Sequence, residues 1–319
     1  MKIPSSILIT GVAGFIGSTL ARTLLTKKVK VIGIDNFYPN YSKKYKQENL
    51  KALTSFNHFQ FHDINILSSS SLKGVFKKYR PQAVIHLAAL TGVRASIANP
   101  KIYFDVNVRG TRQVFETASD FACTNFIYSS SSSVYGKGNG LEFLENKARR
   151  PSSPYAISKR DSENILQLLH QKYKMPTTIF RLFSVYGPQG RPDMAPYLFT
   201  QAAFSGKSIT IFGNGTAARD FTYITDVVSA FQSSLANPSP LEIVNIGNTS
   251  PISISELIQL TEKLTRKKLL KKFSPPIPQE SFVTHANIDK AQKLYNWYPK
   301  VKFKKGFALF VRWYRYNRL

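Results

Sequence analysis

Tyr155 and Lys159, four residues apart, are the pair in this chain whose types and spacing best suit moving a proton. At that spacing two side chains share one face of a helix. A free phenol, with a pKa near ~10, is a poor base. An ammonium beside it favours the phenolate. The expectation is therefore that Lys159 lowers the pKa of Tyr155, which then takes a hydroxyl proton while a hydride leaves the same carbon. A Tyr-x-x-x-Lys spacing recurs by chance, so its weight comes from its company. Upstream lies a serine run, Ser129 to Ser133, just before Val134-Tyr135-Gly136. A hydroxyl there can bridge the reacting group to Tyr155 and polarise the carbonyl that forms. The run could also be a plain flexible loop. Its place at the carboxyl end of a strand favours the chemical reading.

A hydride needs an acceptor, and Thr10-Gly11-Val12-Ala13-Gly14-Phe15-Ile16-Gly17 offers a place for one. It follows an apolar run and opens a helical one. The first glycine permits a tight turn, the second lets backbone approach a pyrophosphate, and the third lets helix and strand pack closely. A helix N-terminus adds N–H groups and a positive dipole end. Asp35 ends the next strand. A carboxylate there accepts from ribose hydroxyls and repels a 2′-phosphate, so NAD is expected rather than NADP. Asp63-Ile64 would border the adenine, although a simple turn aspartate reads almost as well.

These residues require a particular frame. Ile7 to Thr10, Val29 to Ile34, Phe59 to Phe61, Ala83 to Leu87 and Asn125 to Tyr128 read as strands, with helical stretches such as Phe15 to Leu25 between them. Such alternation predicts an α/β fold, a doubly wound parallel Rossmann sheet. After Arg181, Pro188, Gly190, Pro192 and Gly213-Asn214-Gly215 punctuate shorter elements, which predicts a smaller α/β substrate-binding lobe. The expected division is 1–176 and 221–247 for the NAD-binding domain, and 177–220 and 248–319 for the lobe. Val301 to Leu319 mixes basic and aromatic residues. It reads as a last helix packed on the lobe, in preference to a membrane-surface helix.

The chain's 319 residues suffice for one such domain plus a lobe, with 43% hydrophobic and 19% charged residues. One cysteine, Cys123, excludes an internal disulfide and suits a reducing compartment. A buried, inert thiol is expected there. No signal peptide, metal-ligand spacing or membrane-length apolar run is visible, so a cytoplasmic protein without membrane insertion or metal is expected. Lys and Arg total 44 against 18 Asp and Glu, a net charge of +26. That balance favours polyanions. The basic residues are spread along the chain without a nucleic-acid-binding signature, so no specific nucleic-acid partner is expected.

Taken together, the residues resemble the extended short-chain dehydrogenase/reductases of the sugar-nucleotide epimerase/dehydratase family. The marks are Thr10 to Gly17, Asp35-Asn36, His86-Leu87-Ala88-Ala89, Asn107-x-x-Gly110-Thr111, Ser129 to Gly136 and Tyr155-x-x-x-Lys159. They continue in Arg181, Tyr186-Gly187-Pro188 and Arg219 to Asp226. The resemblance implies bound NAD, held by Gly11, Gly14, Phe15, Ile16, Gly17, Asp35, Asn36, Asp63, Ile64, Leu87, Ala88 and Ala89 with Tyr155 and Lys159. It implies a catalytic Tyr155, Lys159 and Ser131, and a homodimer through helices around Val108–Ala118 and Tyr155–Leu169.

Within that family, dehydrating and decarboxylating members look like Thr-Asp-Glu-Val-Tyr-Gly and Thr-Ser-Glu-Val-Tyr-Gly. Here Ser132 and Ser133 stand at the acidic positions, so no carboxylate is available for acid–base work beyond C4. Oxidation and re-reduction at C4, an epimerisation, remains. Gly187-Pro188-Gln189-Gly190-Arg191-Pro192-Asp193-Met194-Ala195, with Gly92-Val93-Arg94, resembles the UDP-glucuronate 4-epimerase branch. By that resemblance Val93, Arg94, Ser131, Ser132, Ser133, Ser184 and Arg191 line the substrate site and Arg219 grips the diphosphate. Arg191 also reads as a loop arginine in a surface ion pair. Where relatives show a Pro-Gly-Asp turn, this chain has Pro276-Ile277-Pro278-Gln279. UDP-glucose, UDP-galactose and UDP-N-acetylglucosamine stay open as substrates. A non-catalytic NAD- or RNA-binding member of the fold is the alternative of another class.

Overall fold

The computed structural model describes residues 3–137, 142–147, 150–279 and 281–319. The first half runs β1 (Ser6–Thr10), α1 (Phe15–Thr26), β2 (Lys30–Asp35), α2 (Lys43–Lys51), β3 (Phe59–Asp63), α3 (Ser69–Tyr79) and β4 (Ala83–His86). It continues with α4 (Val93–Ala98), α5 (Pro100–Tyr103), a π-helical turn (Phe104–Arg109), α6 (Gly110–Asp120) and β5 (Asn125–Ser131). A 3₁₀ turn (Ser132–Tyr135) follows, then α7 (Pro154–Tyr173), β6 (Thr177–Leu182), β7 (Ser184–Tyr186), α8 (Ala195–Ser205), β8 (Ser208–Phe212) and β9 (Ala218–Tyr223). The chain ends with α9 (Ile224–Ala236), β10 (Leu241–Ile246), β11 (Pro251–Ser253), α10 (Ile254–Thr265), β12 (Leu270–Ser274), α11 (Asp289–Tyr295) and α12 (Phe303–Arg318).

Seven strands form one sheet in the order β10-β6-β5-β4-β1-β2-β3, parallel throughout. The expected α/β sheet is therefore present. Its strands are apolar on both faces because helices cover both. Ile7 and Ile9 of β1 join one core cluster with Leu20, Leu24 and Phe231, while Leu8 joins the other with Phe76, Phe115 and Leu166. The winding reverses between β1 and β4, and a crevice opens there at the carboxyl ends of the strands.

β6 lies inside this sheet, so the sheet reaches six residues beyond the expected boundary at 176. Its Thr177-Thr178-Ile179-Phe180 is rich in β-branched residues, and the boundary is set by tertiary pairing rather than by the glycines and prolines farther on. One residue, Phe183, separates β6 from β7. β7 belongs to a three-stranded sheet with β9 and β11. Ser131 of β5 pairs with Leu182 of β6, and Ser184 of β7 pairs with Phe221 of β9.

α12 buries Phe303, Phe307, Phe310 and Tyr314 and leaves Lys304, Lys305, Arg312 and Arg315 in solvent, as expected of a packed last helix. Among the described residues no helix is long and apolar enough to cross a membrane. Cys123 is buried, donates to the Pro81 carbonyl at 3.0 Å, and its pKa is pushed up to about 12 by burial.

Candidate active site

The crevice widens into a cavity of about 1180 Å³ between the sheet edge and the later segments. Gly11 makes the turn out of β1 with φ of +72°, and a Cβ there would sit 2.8 Å from the Ala88 nitrogen. A Cβ at Gly17 would come within 2.2 Å of the Gly11 carbonyl oxygen, so α1 can lie on the loop only with glycine at that position. The loop is pinned from below. Thr10 Oγ1 accepts from the amides of Leu87 and Ala88 at 3.2 and 3.1 Å, and lies 2.7 Å from His86 Nδ1. His86 Nε2 in turn lies 3.0 Å from Thr111 Oγ1. Burial, with Lys159 nearby, pushes the His86 pKa down to about 3, so the ring is neutral.

Asp35 ends β2 with its carboxylate accepting from the amides of Ala13 at 3.1 Å and Phe37 at 2.8 Å. Burial raises its pKa, and Lys46 opposes that shift. Lys46 is itself buried, donates to the Tyr38 carbonyl at 2.7 Å, and has its pKa lowered by burial. Nothing in the sequence distinguished it from Lys43, Lys44 or Lys51 on the same helix; only the tertiary contact does.

Tyr155 and Lys159 sit in the first turns of α7. Pro154 opens the helix and the Ser153 side chain caps it, accepting from the Ala156 amide at 3.2 Å. Ser131 hydrogen-bonds Tyr155. The Tyr155 ring packs edge-on against Tyr103 at 6.3 Å. The electrostatics differ from expectation. The pKa of Tyr155 is raised by burial, and the opposing influences are the Ser131 hydrogen bond and the Arg191 charge. Among the described residues Lys159 makes no hydrogen bond to it. Its ammonium points beneath the helix, donating to the Ser129 carbonyl at 2.7 Å and to Tyr128 Oη at 3.2 Å. Burial draws its own pKa down to about 7.

Every expected site residue except Asp63 lines this one cavity. Asp63 is exposed and lies off the wall, while Ile64 is on it, because successive side chains of an extended segment point to opposite sides. Val93, Arg94, Ser131, Ser132, Ser133, Ser184, Arg191 and Arg219 all contribute. The Arg94 guanidinium lies 5.1 Å from the centre of the Phe212 ring. Arg219 Nη1 donates to the Ala218 and Phe282 carbonyls at 3.0 and 3.2 Å. Arg191 joins both of its readings: it faces the cavity, and it is ion-paired with Asp193, Nε to Oδ1 at 3.0 Å. Thr91 Oγ1 and Ser133 Oγ are buried on the wall without a hydrogen-bond partner among the described residues.

These features fit a dinucleotide. The glycines let the loop backbone pack against itself and Ala88 with no side chain between, and no side chain caps α1 at Gly14, so its first amides are left for a ligand in the crevice. A carboxylate closes the ribose end. Among the described residues no cluster of His, Cys, Asp or Glu could hold a metal ion.

The comparisons with known proteins agree with this geometry. The chain is 40% identical over 312 residues to a UDP-glucuronate 4-epimerase of Thermodesulfobacterium geofontis, covering 97% of this chain and 96% of that one. A crystal structure of UDP-glucuronic acid 4-epimerase from Bacillus cereus, in complex with UDP-glucuronic acid and NAD, superposes with a TM-score of 0.92. It is 34% identical, covering 97% of this chain and 99% of that one. A UDP-glucose 4-epimerase from Thermotoga maritima with UDP-glucose gives 0.89 at 28% identity, over 97% and 98%. The family model for NAD dependent epimerases and dehydratases matches residues 7–247, and the chain belongs to that family.

Proposed function

We propose that this enzyme interconverts UDP-glucuronate and UDP-galacturonate by epimerisation at C4. A UDP-sugar 4-epimerase with NAD is supported by the family and by the relatives just described. The uronate reading is supported by one observation: hydroxyls line the cavity near Tyr155, and among the described residues its carboxylates are already engaged. Ser131, Ser132, Ser133 and, from the second sheet, Ser184 supply the hydroxyls. The engaged acids are three. Asp35 closes the ribose end, Asp105 pairs with Arg109, and Asp193 pairs with Arg191.

A sugar carboxylate would find donors on that wall and the positive charge of Arg191 near it. The same composition protects the product. A 4-keto uronic acid is a β-keto acid and loses CO₂ readily. A wall that binds the carboxylate through hydroxyls, without an acid to protonate the carbon it would leave, favours epimerisation over decarboxylation.

Bound NAD supplies the hydride exchange at C4. Tyr155 Oη takes the 4-hydroxyl proton, with Ser131 Oγ as the bridge, and returns a proton once the other face of the keto sugar is presented. Ser131 then holds the ketone oxygen, where negative charge develops. Arg219 would grip the diphosphate, and Arg94 lines the same cavity.

In the same reading, residues 1–176 and 221–247 with β6 hold NAD, and the remainder holds the sugar nucleotide. The enzyme works in the cytoplasm as a homodimer through α6 and α7. Separate incubation with UDP-glucuronate, UDP-glucose and UDP-N-acetylglucosamine, followed by chromatography, tests the substrate. UDP-galacturonate is the expected product. Turnover of only the neutral sugars would remove the uronate assignment, and UDP-pentose as main product would remove the argument from the serines.

A further inference from the structure

Tyr155, Lys159 and Glu163 occupy successive fourth positions of α7 and share one face. The last two are sealed from water: Lys159 is 3% exposed and Glu163 is 0% exposed. Glu163 is gripped tightly. Arg181 of β6, 1% exposed, donates to it from Nε at 3.0 Å and Nη2 at 2.8 Å, and Ser130 Oγ donates at 2.5 Å. Arg181 is anchored in turn, its Nη1 donating to Tyr135 Oη at 2.9 Å and to the Glu145 carbonyl at 3.1 Å. Tyr135 Oη donates to Asn245 Oδ1 at 2.7 Å.

The consecutive residues Ser129 and Ser130 therefore tie down both charges, one through its carbonyl and one through its hydroxyl. The next residue on that strand is Ser131. A buried ion pair is weak as a stabiliser, since desolvation offsets most of the attraction. Its retention directly under a proton-transfer pair calls for another reason.

We infer that Glu163 is a positioning residue: clamped by Arg181 and Ser130, it keeps Lys159 an ammonium beneath Tyr155 and the serine run. This rests on the reading of Tyr155 as the group that takes the substrate proton. The surroundings of Lys159 show why such a residue is needed. From β4 it faces His86, which is neutral. From β5 it faces the Tyr128 phenol, whose pKa is raised by burial, and the Ser129 carbonyl. From its own helix it faces Tyr155 and Glu163. Burial drives the ammonium toward the neutral amine, and the Glu163 charge is what opposes it.

The test is the pH dependence of kcat/KM for the NAD-loaded enzyme, comparing the wild type with Glu163→Gln and the charge-conserving Glu163→Asp. Wild-type turnover of UDP-glucuronate is checked first. If there is none, the substrate reading fails and the profiles are run on UDP-glucose, which keeps the two failures apart. Loss of the carboxylate charge should move the limb of the profile set by Lys159 down by about one pH unit, the size expected on removing a nearby opposite charge. Glu163→Asp should move it less, and KM should change little in either variant. If Glu163→Gln does not accumulate as folded protein, Glu163→Gln with Arg181→Met leaves no buried guanidinium unpaired and carries the same expected shift. A Lys159 limb that stays in place in the folded variant, or that moves equally with Asp and Gln, overturns the inference.

Discussion

Lys159 donates to the carbonyl of Ser129 at 2.7 Å, and so the ammonium is fastened to the end of the strand that carries Ser131. The proposed base Tyr155 and its proposed bridge Ser131 are thereby set in register by a backbone contact, without a direct Lys159–Tyr155 bond among the described residues. Four expectations follow for the enzyme in solution.

Tyr155→Phe keeps the ring and its packing against Tyr103 but loses the oxygen that carries the proton. Turnover should fall by about 10²- to 10⁴-fold, the usual contribution of a positioned general base. Mass analysis of the cofactor released on denaturation should still show NAD, in the wild type and in the variant, and no NADP. Near wild-type turnover would remove Tyr155 from its role.

Ser131→Ala removes the hydrogen bond that opposes the burial of Tyr155. The phenol pKa should then rise further, and less phenolate is present at any given pH. The limb of the rate profile set by Tyr155 should move to higher pH, with kcat reduced at neutral pH. A lower kcat with that limb unmoved would mean that the hydroxyl serves only the ketone.

Lys159 links stability to pH. Its folded pKa of about 7 lies below the ordinary lysine value of 10.5, so between those values the unfolded chain binds a proton that the folded chain lacks. Stability should therefore rise with pH above 7, by up to about 1.4 kcal/mol per unit from this group. Above pH ~10 the buried tyrosines, which stay protonated when folded, oppose the rise. Urea midpoints at pH 7, 8 and 9 should climb for the wild type and climb less for Lys159→Met. Parallel curves would show that Lys159 titrates normally.

Leu168 of α7, the helix that packs against α6, is 64% exposed. In the proposed homodimer it is covered. Leu168→Arg should shift the light-scattering mass at micromolar concentration from two chains toward one. A wild type that is already monomeric at that concentration would count against the assembly.

Much of this site was legible in the sequence because the signals are local. Gly11 and Gly17 are dictated by backbone approach within one turn, and the spacing of Tyr155 and Lys159 by one helix. Local spacing could not show where Lys159 points. The expectation of a lowered Tyr155 pKa assumed that two side chains on one helix face interact with each other; instead Lys159 turns to the strand beneath. Lys46 and Glu163 escaped notice for the same reason, since their partners Tyr38 and Arg181 are brought together only by the fold. Sequence type alone could not show that Asp63 ends its strand off the cavity wall while Ile64 lies on it.

The single residue Phe183 between β6 and β7 also sets how the chain tolerates change in length. The serine wall draws Ser131 from one sheet and Ser184 from the other, and Phe183 is the only spacer between the register of β5 with β6 and that of β7 with β9. One residue inserted or deleted there would turn Ser184 off the wall and bring a neighbour to its place. In related chains this junction should hold a fixed residue count even where its side chains drift, whereas the segment around Pro276 can vary in length without breaking a sheet register.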